Sequence, residues 1–128
     1  MPNKARFTSK TAVIIGDPAI GEGTWLGHFT VLDGSEGLSI GKNCSIASGV
    51  HIYTHSTHLQ TVLKGDRKTG RVALGDNVAV GANTVIHYDV VIGDRSVIGA
   101  LSQIMPHTII GEDEYWSGNP AKFVRKIY

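Results

Sequence analysis

The hydrophobic positions in the second half of the chain recur with a period of six residues. An aliphatic side chain falls at every sixth position from residue 74 to residue 110: Leu74, Val80, Ile86, Ile92, Ile98, Ile104 and Ile110. Small or β-branched residues follow four positions later: Val78, Thr84, Val90, Ser96, Ser102 and Thr108. An α-helix repeats every ~3.6 residues and a half-buried strand every ~2, so neither explains the pattern. The period predicts one short strand and one turn per repeat, wound into a solenoid of parallel strands.

The same period extends through the first half of the chain, with one shift and one interruption. The aliphatic register continues at these positions: Ile14, Ile20, Leu26 and Leu32, then, after two additional residues within 33–37, Ile40, Ile46 and Ile52. From Ile52 to Leu74 is 22 residues, sixteen more than one repeat. We expect these sixteen to leave the coil as a loop of residues 54–70. Glycine follows many of the aliphatic residues, and we expect it to supply backbone φ values that a Cβ would resist.

Length and composition narrow the class of protein. The 128 residues predict a single domain, 1–128, with a C-terminal tail of residues 115–128. A net charge of +1 gives no reason to expect binding to nucleic acid or to an anionic membrane. The single Cys44 occupies a small interior position of its repeat and is expected to pack in the core. No apolar segment follows the first residues as a signal peptide would, and none is long enough to span a membrane, so we expect a cytoplasmic protein.

Histidines are densest where the predicted loop begins, at His51, His55 and His58. His55 follows closely on the inward-pointing Ile52, so the coil would hold its side chain in place while it faces a cleft. His58 lies further into the loop. Imidazole has an ordinary pKa of about 6.5, so a neutral histidine can accept a proton at working pH. These residues are therefore candidates for a general base.

The six-residue unit resembles that of the hexapeptide-repeat family, whose fold is a left-handed parallel β-helix with three repeats per coil. The resemblance implies an all-β fold: a left-handed parallel β-helix of about four to five coils, with one long excursion loop and a short C-terminal tail. Three segments are also similar to the sugar O-acetyltransferase branch of that family, which includes the maltose and galactoside acetyltransferases and many polysaccharide-biosynthesis acetyltransferases. These segments are residues 52–55 with the following loop, residues 72–83 and residues 117–127.

This resemblance implies transfer of an acetyl group from acetyl-CoA to a hydroxyl of a sugar, nucleotide sugar or polysaccharide precursor. His55 would be the general base and His58 its competitor. The implied donor site comprises Gly81, Ala82, Gly99 and Ala100 beside the CoA arm, with Lys122 and Arg125 near the CoA phosphates. The implied acceptor residues are His28 and Asp33, facing the histidine loop across a subunit cleft; Asp33 can either orient His55 or bind a sugar hydroxyl. A narrow helix with exposed flat faces, and an excursion loop that has nothing in its own subunit to cover, predict a homotrimer. The implied reaction requires no metal.

Three alternatives remain at this stage. An amino sugar can accept the acetyl group on nitrogen at the same site. A γ-class carbonic anhydrase uses the same helix and binds zinc between subunits, but it needs three histidines. The spacings of His51, His55 and His58 do not match that family, and its Gly-His element after the loop is absent. The last alternative is a non-catalytic structural solenoid, which has no need of a histidine-bearing loop.

Overall fold

The computed structural model describes residues 3–128 and shows the left-handed parallel β-helix that the repeat predicts. Its strands form three sheets, which we call faces A, B and C. Face B contains β1 (Phe7–Thr8), β4 (Trp25–Leu26), β7 (Ser45–Ile46), β12 (Ala79–Val80), β15 (Val97–Ile98), β18 (Glu114–Gly118) and β19 (Ala121–Lys126). Face C contains β2 (Val13–Ile15), β5 (Val31–Asp33), β8 (His51–Ile52), β13 (Val85–Ile86) and β16 (Gln103–Ile104). Face A contains β3 (Ala19–Ile20), β6 (Leu38–Ile40), β11 (Val72–Leu74), β14 (Val90–Ile92) and β17 (Ile109–Ile110).

The chain runs from face C to face A to face B, and every pairing between successive coils is parallel. Five coils contribute a strand to all three faces, and β1 precedes them as part of a further turn. The sequence-based prediction of four to five coils therefore did not include β1. The residue of β1 in the repeat register is Thr8, the partner of Leu26, so no aliphatic residue marks this turn in the sequence. Its neighbour Phe7 stacks on Trp25.

The core is a column of the repeat's aliphatic residues, one per strand, stacked from coil to coil. Ile46, Val80 and Ile98 are paired partners on face B and are each no more than 2% exposed. The two-residue shift within 33–37 is absorbed at one corner, so Ile20 and Ile40 remain partners. The hydroxyls of Thr84 and Ser102 are buried and donate to the carbonyl of Gly99. A small polar residue is therefore stable inside because the coil backbone supplies its acceptor.

The glycine that follows the aliphatic residue has a different role from the one expected. Positive φ occurs two residues later, at the third corner position, as in Asn83 (φ 59°) and Leu101 (φ 60°). The glycine is needed for stacking: a Cβ on Gly81 would lie 2.4 Å from the backbone nitrogen of Ala100 in the next coil. Coils about 4.8 Å apart leave no room for a side chain there.

The chain leaves the coil after Ile52 and returns at Val72, and we call residues 53–71 the excursion. It contains a two-stranded antiparallel hairpin, β9 (His55–Ser56) with β10 (Lys68–Thr69), and one short helix, α1 (His58–Leu63). The backbone N–H of Gly70 donates to the carbonyl of Thr54 (3.0 Å), so the two ends of the excursion are joined.

The expected C-terminal tail begins inside the coil. Tyr115 and Trp116 belong to β18, which pairs in parallel with β15, and β19 then folds back antiparallel on β18. Face B is thereby extended by a hairpin at the end of the solenoid. Within residues 3–128, no helix is long and apolar enough to cross a membrane.

Candidate active site

A histidine–aspartate pair lies where face C turns into face A, which we call corner CA. Asp33 ends β5, and His55 begins β9 one coil later. The His55 Nδ1 atom is 2.6 Å from Asp33 Oδ2. The Asp33 side chain is 0% exposed, whereas the His55 side chain is 29% exposed. The carboxylate is thus enclosed by the coil, and the imidazole is the member of the pair that solvent or a ligand can reach.

The surroundings of Asp33 keep it ionised. Burial by itself would raise the pKa of Asp33, but hydrogen bonds from Ser35, from the Thr54 backbone and from His55 outweigh it. The pKa of Asp33 therefore lies below its usual range. An ionised carboxylate can only accept hydrogen bonds, so His55 Nδ1 carries a proton, and in the neutral imidazole the free lone pair is on Nε2. This is the tautomer that a general base requires.

Thr54 holds the aspartate in place, and sequence reasoning did not single it out. Its backbone N–H donates to Asp33 Oδ2 (2.9 Å), and its hydroxyl donates to the same oxygen (3.0 Å). The Thr54 hydroxyl also accepts from the backbone N–H of Glu36 (3.1 Å). On the other oxygen, Ser35 N–H donates to Asp33 Oδ1 (3.0 Å). Two features of the sequence could have identified this role of Thr54: the Asp-Gly-Ser turn after β5, and the position of the threonine immediately before the candidate base.

The competing base, His58, has a different environment. It is exposed at the start of α1, and its Nδ1 atom faces the hydroxyl of Ser56. Among the ion pairs of residues 3–128, His58 has no carboxylate partner, whereas His55 has Asp33. The geometry therefore favours His55 over His58 as a base with a fixed tautomer.

The implied donor residues Gly81, Ala82, Gly99 and Ala100 lie at a different corner. They stack between faces B and C, which we call corner BC, in two successive coils. Throughout the described chain, the backbone N–H groups of Ala82 and Ala100 have no hydrogen-bond acceptor. At the corner between faces A and B, carboxylates of the chain itself occupy the equivalent donors: Asp76 Oδ1 accepts from Lys42 N–H, and Asp94 Oδ1 from Asp76 N–H. Corner BC therefore presents two free donors beside small side chains.

Two implied cofactor residues lie on β19, at the end of face B. Lys122 is exposed and pairs with Ser117 across the hairpin. The Arg125 guanidinium lies over the Tyr115 ring, 5.5 Å from its centroid, and donates to the carbonyl of Lys126. Both side chains remain accessible at the surface of the hairpin.

The two implied acceptor residues are not brought together. His28 is at corner BC, where it is exposed and its Nδ1 atom is 2.7 Å from Ser9 Oγ. Asp33 is at corner CA, enclosed and bonded to His55 of the same chain. The expectation that Asp33 faces the histidine loop across a subunit cleft is therefore wrong. Asp33 instead lies behind the imidazole, where it can orient His55, which is the other role that the sequence left open.

The three histidines near the start of the excursion each have a separate polar partner. His51 Nδ1 is 2.9 Å from the hydroxyl of Tyr53, His55 Nδ1 is bonded to Asp33, and His58 Nδ1 faces Ser56. Over residues 3–128, no three histidine, cysteine, aspartate or glutamate side chains converge as ligands. The donor set within one chain does not fit a zinc site of three histidines.

Residues 71–104 match the model of the bacterial transferase hexapeptide (six repeats) family. The chain is 29% identical to gamma carbonic anhydrase 2, mitochondrial, of Arabidopsis thaliana over 98% of its own length and 49% of that protein. It is 31% identical to the carnitine operon protein of Proteus over 94% of its length and 64% of that protein. The chain thus spans about half to two thirds of the length of these curated relatives.

Solved structures with this fold include two acetyltransferases. A hexapeptide-repeat acetyltransferase from Vibrio cholerae, complexed with acetyl-coenzyme A, has a TM-score of 0.84 and 26% identity, covering 98% of this chain and 69% of that one. A maltose O-acetyltransferase from Clostridium difficile has a TM-score of 0.78 and 26% identity, covering 99% and 70%. The names of the sequence relatives and of the structural relatives therefore include different activities.

Proposed function

We propose that this chain, whose repeats match the hexapeptide-repeat family, is an acetyl-CoA-dependent acetyltransferase. Its proposed acceptor is a hydroxyl of a sugar, nucleotide sugar or polysaccharide precursor. The observation that carries the proposal is the pair of His55 and the enclosed Asp33 at the base of the excursion. Among residues 3–128, no other histidine is paired with an enclosed carboxylate. The similarity to acetyltransferases of known structure, one of them complexed with acetyl-coenzyme A, supports the choice of donor.

The proposed reaction is a direct transfer. His55 Nε2 removes the proton from the acceptor hydroxyl as the hydroxyl oxygen attacks the thioester carbonyl of acetyl-CoA. The free N–H of Ala82 or Ala100 donates to the carbonyl oxygen as it becomes negative. The C–S bond then breaks, and the CoA thiolate takes the proton from His55. Asp33 stabilises the imidazolium between these two steps.

The remaining assignments follow the same geometry. Gly81 and Gly99 give the CoA arm close access to corner BC, and Lys122 and Arg125 contact the CoA phosphates from β19. His28, at corner BC, stays the proposed acceptor-binding residue, and Asp33 is assigned to positioning His55. His58 stays the alternative base. An amine acceptor is the alternative substrate, and the fixed base favours oxygen because an amine with a pKa of about 8 needs less help in losing its proton.

The first experiment measures thiol release from acetyl-CoA with a set of sugar and nucleotide-sugar acceptors, with and without EDTA. We expect acceptor-dependent release of CoA that EDTA leaves unchanged, because no proposed step uses a metal. The same preparation is tested for bound zinc and for CO2 hydration. A γ-class carbonic anhydrase is the second candidate, favoured by the similarity to the Arabidopsis protein. Stoichiometric zinc with chelator-sensitive CO2 hydration would establish that candidate and reject the transferase.

The two halves of the proposed site lie apart in one chain, which predicts an oligomer. The His55–Asp33 pair and the free N–H groups of Ala82 and Ala100 are at different corners of one chain, separated by face C. A complete site therefore needs corner CA of one protomer beside corner BC of another. We expect a homotrimer, with a mass by light scattering of three times the 13.7 kDa chain.

A complementation experiment tests whether the sites are shared between protomers. Neither His55→Ala, lacking the base, nor Ala82→Trp, blocking corner BC, is expected to be active alone. Trimers refolded from a mixture of the two contain some interfaces with an intact corner from each protomer, so part of the activity should return. A monomer at micromolar concentration, or no recovery in mixed trimers, would contradict a site shared between protomers.

A further inference from the structure

The excursion differs in charge from the rest of the molecule. Residues 53–71 contain Lys64, Arg67, Lys68 and Arg71 but only one carboxylate, Asp66, a net charge of +3. The whole chain has a net charge of +1, so the remaining residues together carry −2. All four cationic residues are exposed. The segment that carries His55 is therefore positively charged, whereas the rest of the chain, summed, is not.

Strand pairing places the strand that carries Lys68, with Arg67 and Arg71 close to its ends, beside the strand that carries the candidate base. In the hairpin, Thr69 is the partner of His55, and Lys68 is the partner of Ser56. Arg67 and Arg71 flank this strand on either side, and both side chains reach the segment that follows Asp33. Arg67 pairs with Glu36, and Arg71 Nη2 lies 3.4 Å from Ser39 Oγ.

Most of this charge is not neutralised by the protein. Among the ion pairs formed within residues 3–128, Arg67 has Glu36 as its partner, but Lys64, Lys68 and Arg71 have no carboxylate. Elsewhere on the surface, Arg95 is paired with both Glu112 and Asp113. Exposed cations without a carboxylate partner create a positive potential that attracts a diffusing anion.

We infer that the acceptor carries a carboxylate or phosphate group, which Lys68 and Arg71 bind while the reacting hydroxyl meets His55 Nε2. This inference rests on the proposed transferase function and adds the class of its acceptor. Arginine binds carboxylate and phosphate through two parallel N–H donors, and lysine adds a mobile point charge. Such an anion can belong to an acidic sugar or to a sugar phosphate, and both offer the same oxygens to these side chains.

The test compares acceptors that differ in charge on one sugar: glucose, glucuronate and glucose 1-phosphate. We expect kcat/KM for one or both anionic acceptors to exceed that for glucose about tenfold or more, and the preference to shrink as salt is raised, because screening shortens the reach of exposed charges to about 10 Å at 0.1 M. Glucuronate and glucose 1-phosphate separate the two sources of the anion. Equal or better use of glucose, while transfer itself is observed, would overturn the inference and leave the proposed function intact.

Variants of the excursion test whether its cations cause the preference for anionic acceptors. The double variant Lys68→Gln/Arg71→Gln keeps most of both side-chain stems and should raise the KM for the anionic acceptor about tenfold or more, with little change in the KM for acetyl-CoA. Lys42→Gln, at an exposed cation on the corner between faces A and B, is the matched control and should change neither constant. Lys122→Gln should raise the KM for acetyl-CoA instead.

Three other results would decide against these proposals. A rise in the KM for acetyl-CoA with Lys68→Gln/Arg71→Gln would show that the cations bind the donor, and would overturn the inference. An unchanged acceptor KM in that variant would do the same. Equilibrium binding of glucose 1-phosphate and glucose, followed by NMR on the wild-type protein, is independent of turnover. Selective binding of the phosphate without any transfer would reject the transferase function but not the anion site.

Discussion

Replacing His55 with alanine is expected to lower kcat for acetyl transfer about 10²–10⁴-fold, or about 3–5.5 kcal/mol of activation free energy. The reason is that no other side chain of the described site combines a free imidazole nitrogen with an enclosed carboxylate. The KM for acetyl-CoA should change little, because the implied donor residues lie at corner BC. Steady-state thiol release measures both constants.

His107→Ala is the matched control for this experiment. His107 also faces a carboxylate, Asp89, but both side chains are mostly exposed, at 69% and 56%. Its removal should leave kcat within about twofold, since exposed pairs contribute little. Circular dichroism and light scattering should show the same fold and assembly in both variants, because His55 lies outside the core column. If His58→Ala is the inactive variant instead, the base is three residues further along; if neither variant loses activity, the proposed mechanism is wrong.

Replacing Asp33 with asparagine is expected to lower kcat by a similar factor, about 10²–10⁴, without removing any group that touches the substrate. Thr54 and Ser35 donate to the Asp33 oxygens, so the asparagine carbonyl is held by one of these donors and its NH2 group is available to face His55. A donor facing Nδ1 moves the imidazole proton to Nε2, and the base is lost. Long-range 1H–15N NMR of the His55 ring reports this change of tautomer directly.

Asp89→Asn is the control, because it makes the same change in the exposed pair with His107. We expect that variant to keep its activity. Since the Asp33 side chain is enclosed, thermal unfolding must be measured in parallel; a loss of about 1–3 kcal/mol in the free energy of unfolding is expected from its imperfectly paired donors. Full activity in a folded Asp33→Asn protein, with the His55 proton unmoved, would show that the carboxylate is structural only.

The repeat could be predicted from the sequence because every coil requires the same residue types at the same positions. Inward positions must be aliphatic, and the fourth residue after each must be small, so the phase from Ile14 to Ile110 predicted the core and the departure of the chain after Ile52. The proximity of Asp33 to His55 was only half predicted. They are 22 residues apart, whereas a regular coil has 18. The two-residue shift lies between them, and His55 follows Ile52 by three residues whereas Asp33 follows Leu32, the partner of Ile52, by one.

Other features depend on contacts between coils that a one-dimensional pattern does not contain. The backbone atoms of Ala100 exclude a Cβ at Gly81, yet in the sequence that glycine looks like an ordinary turn residue. Residue type alone does not distinguish Thr54 from the other threonines. Its role follows from the position of its hydroxyl, which bonds both Asp33 and the backbone of Glu36. The positive charge of the excursion was visible in the sequence, but its place beside His55 depends on the pairing of β9 with β10.

The way the excursion is attached has a consequence for how this protein can change. Its two ends meet, with Gly70 bonded to Thr54, and the coil on either side keeps its register as if the intervening residues were absent. The entropic cost of closing such a loop grows only slowly with its length. The segment is therefore an interchangeable module: recombination or grafting can replace residues 56–69 with another sequence while Asp33, Thr54 and His55 stay in place. Substrate choice and chemistry can then evolve separately, one on the inserted segment and the other on the scaffold.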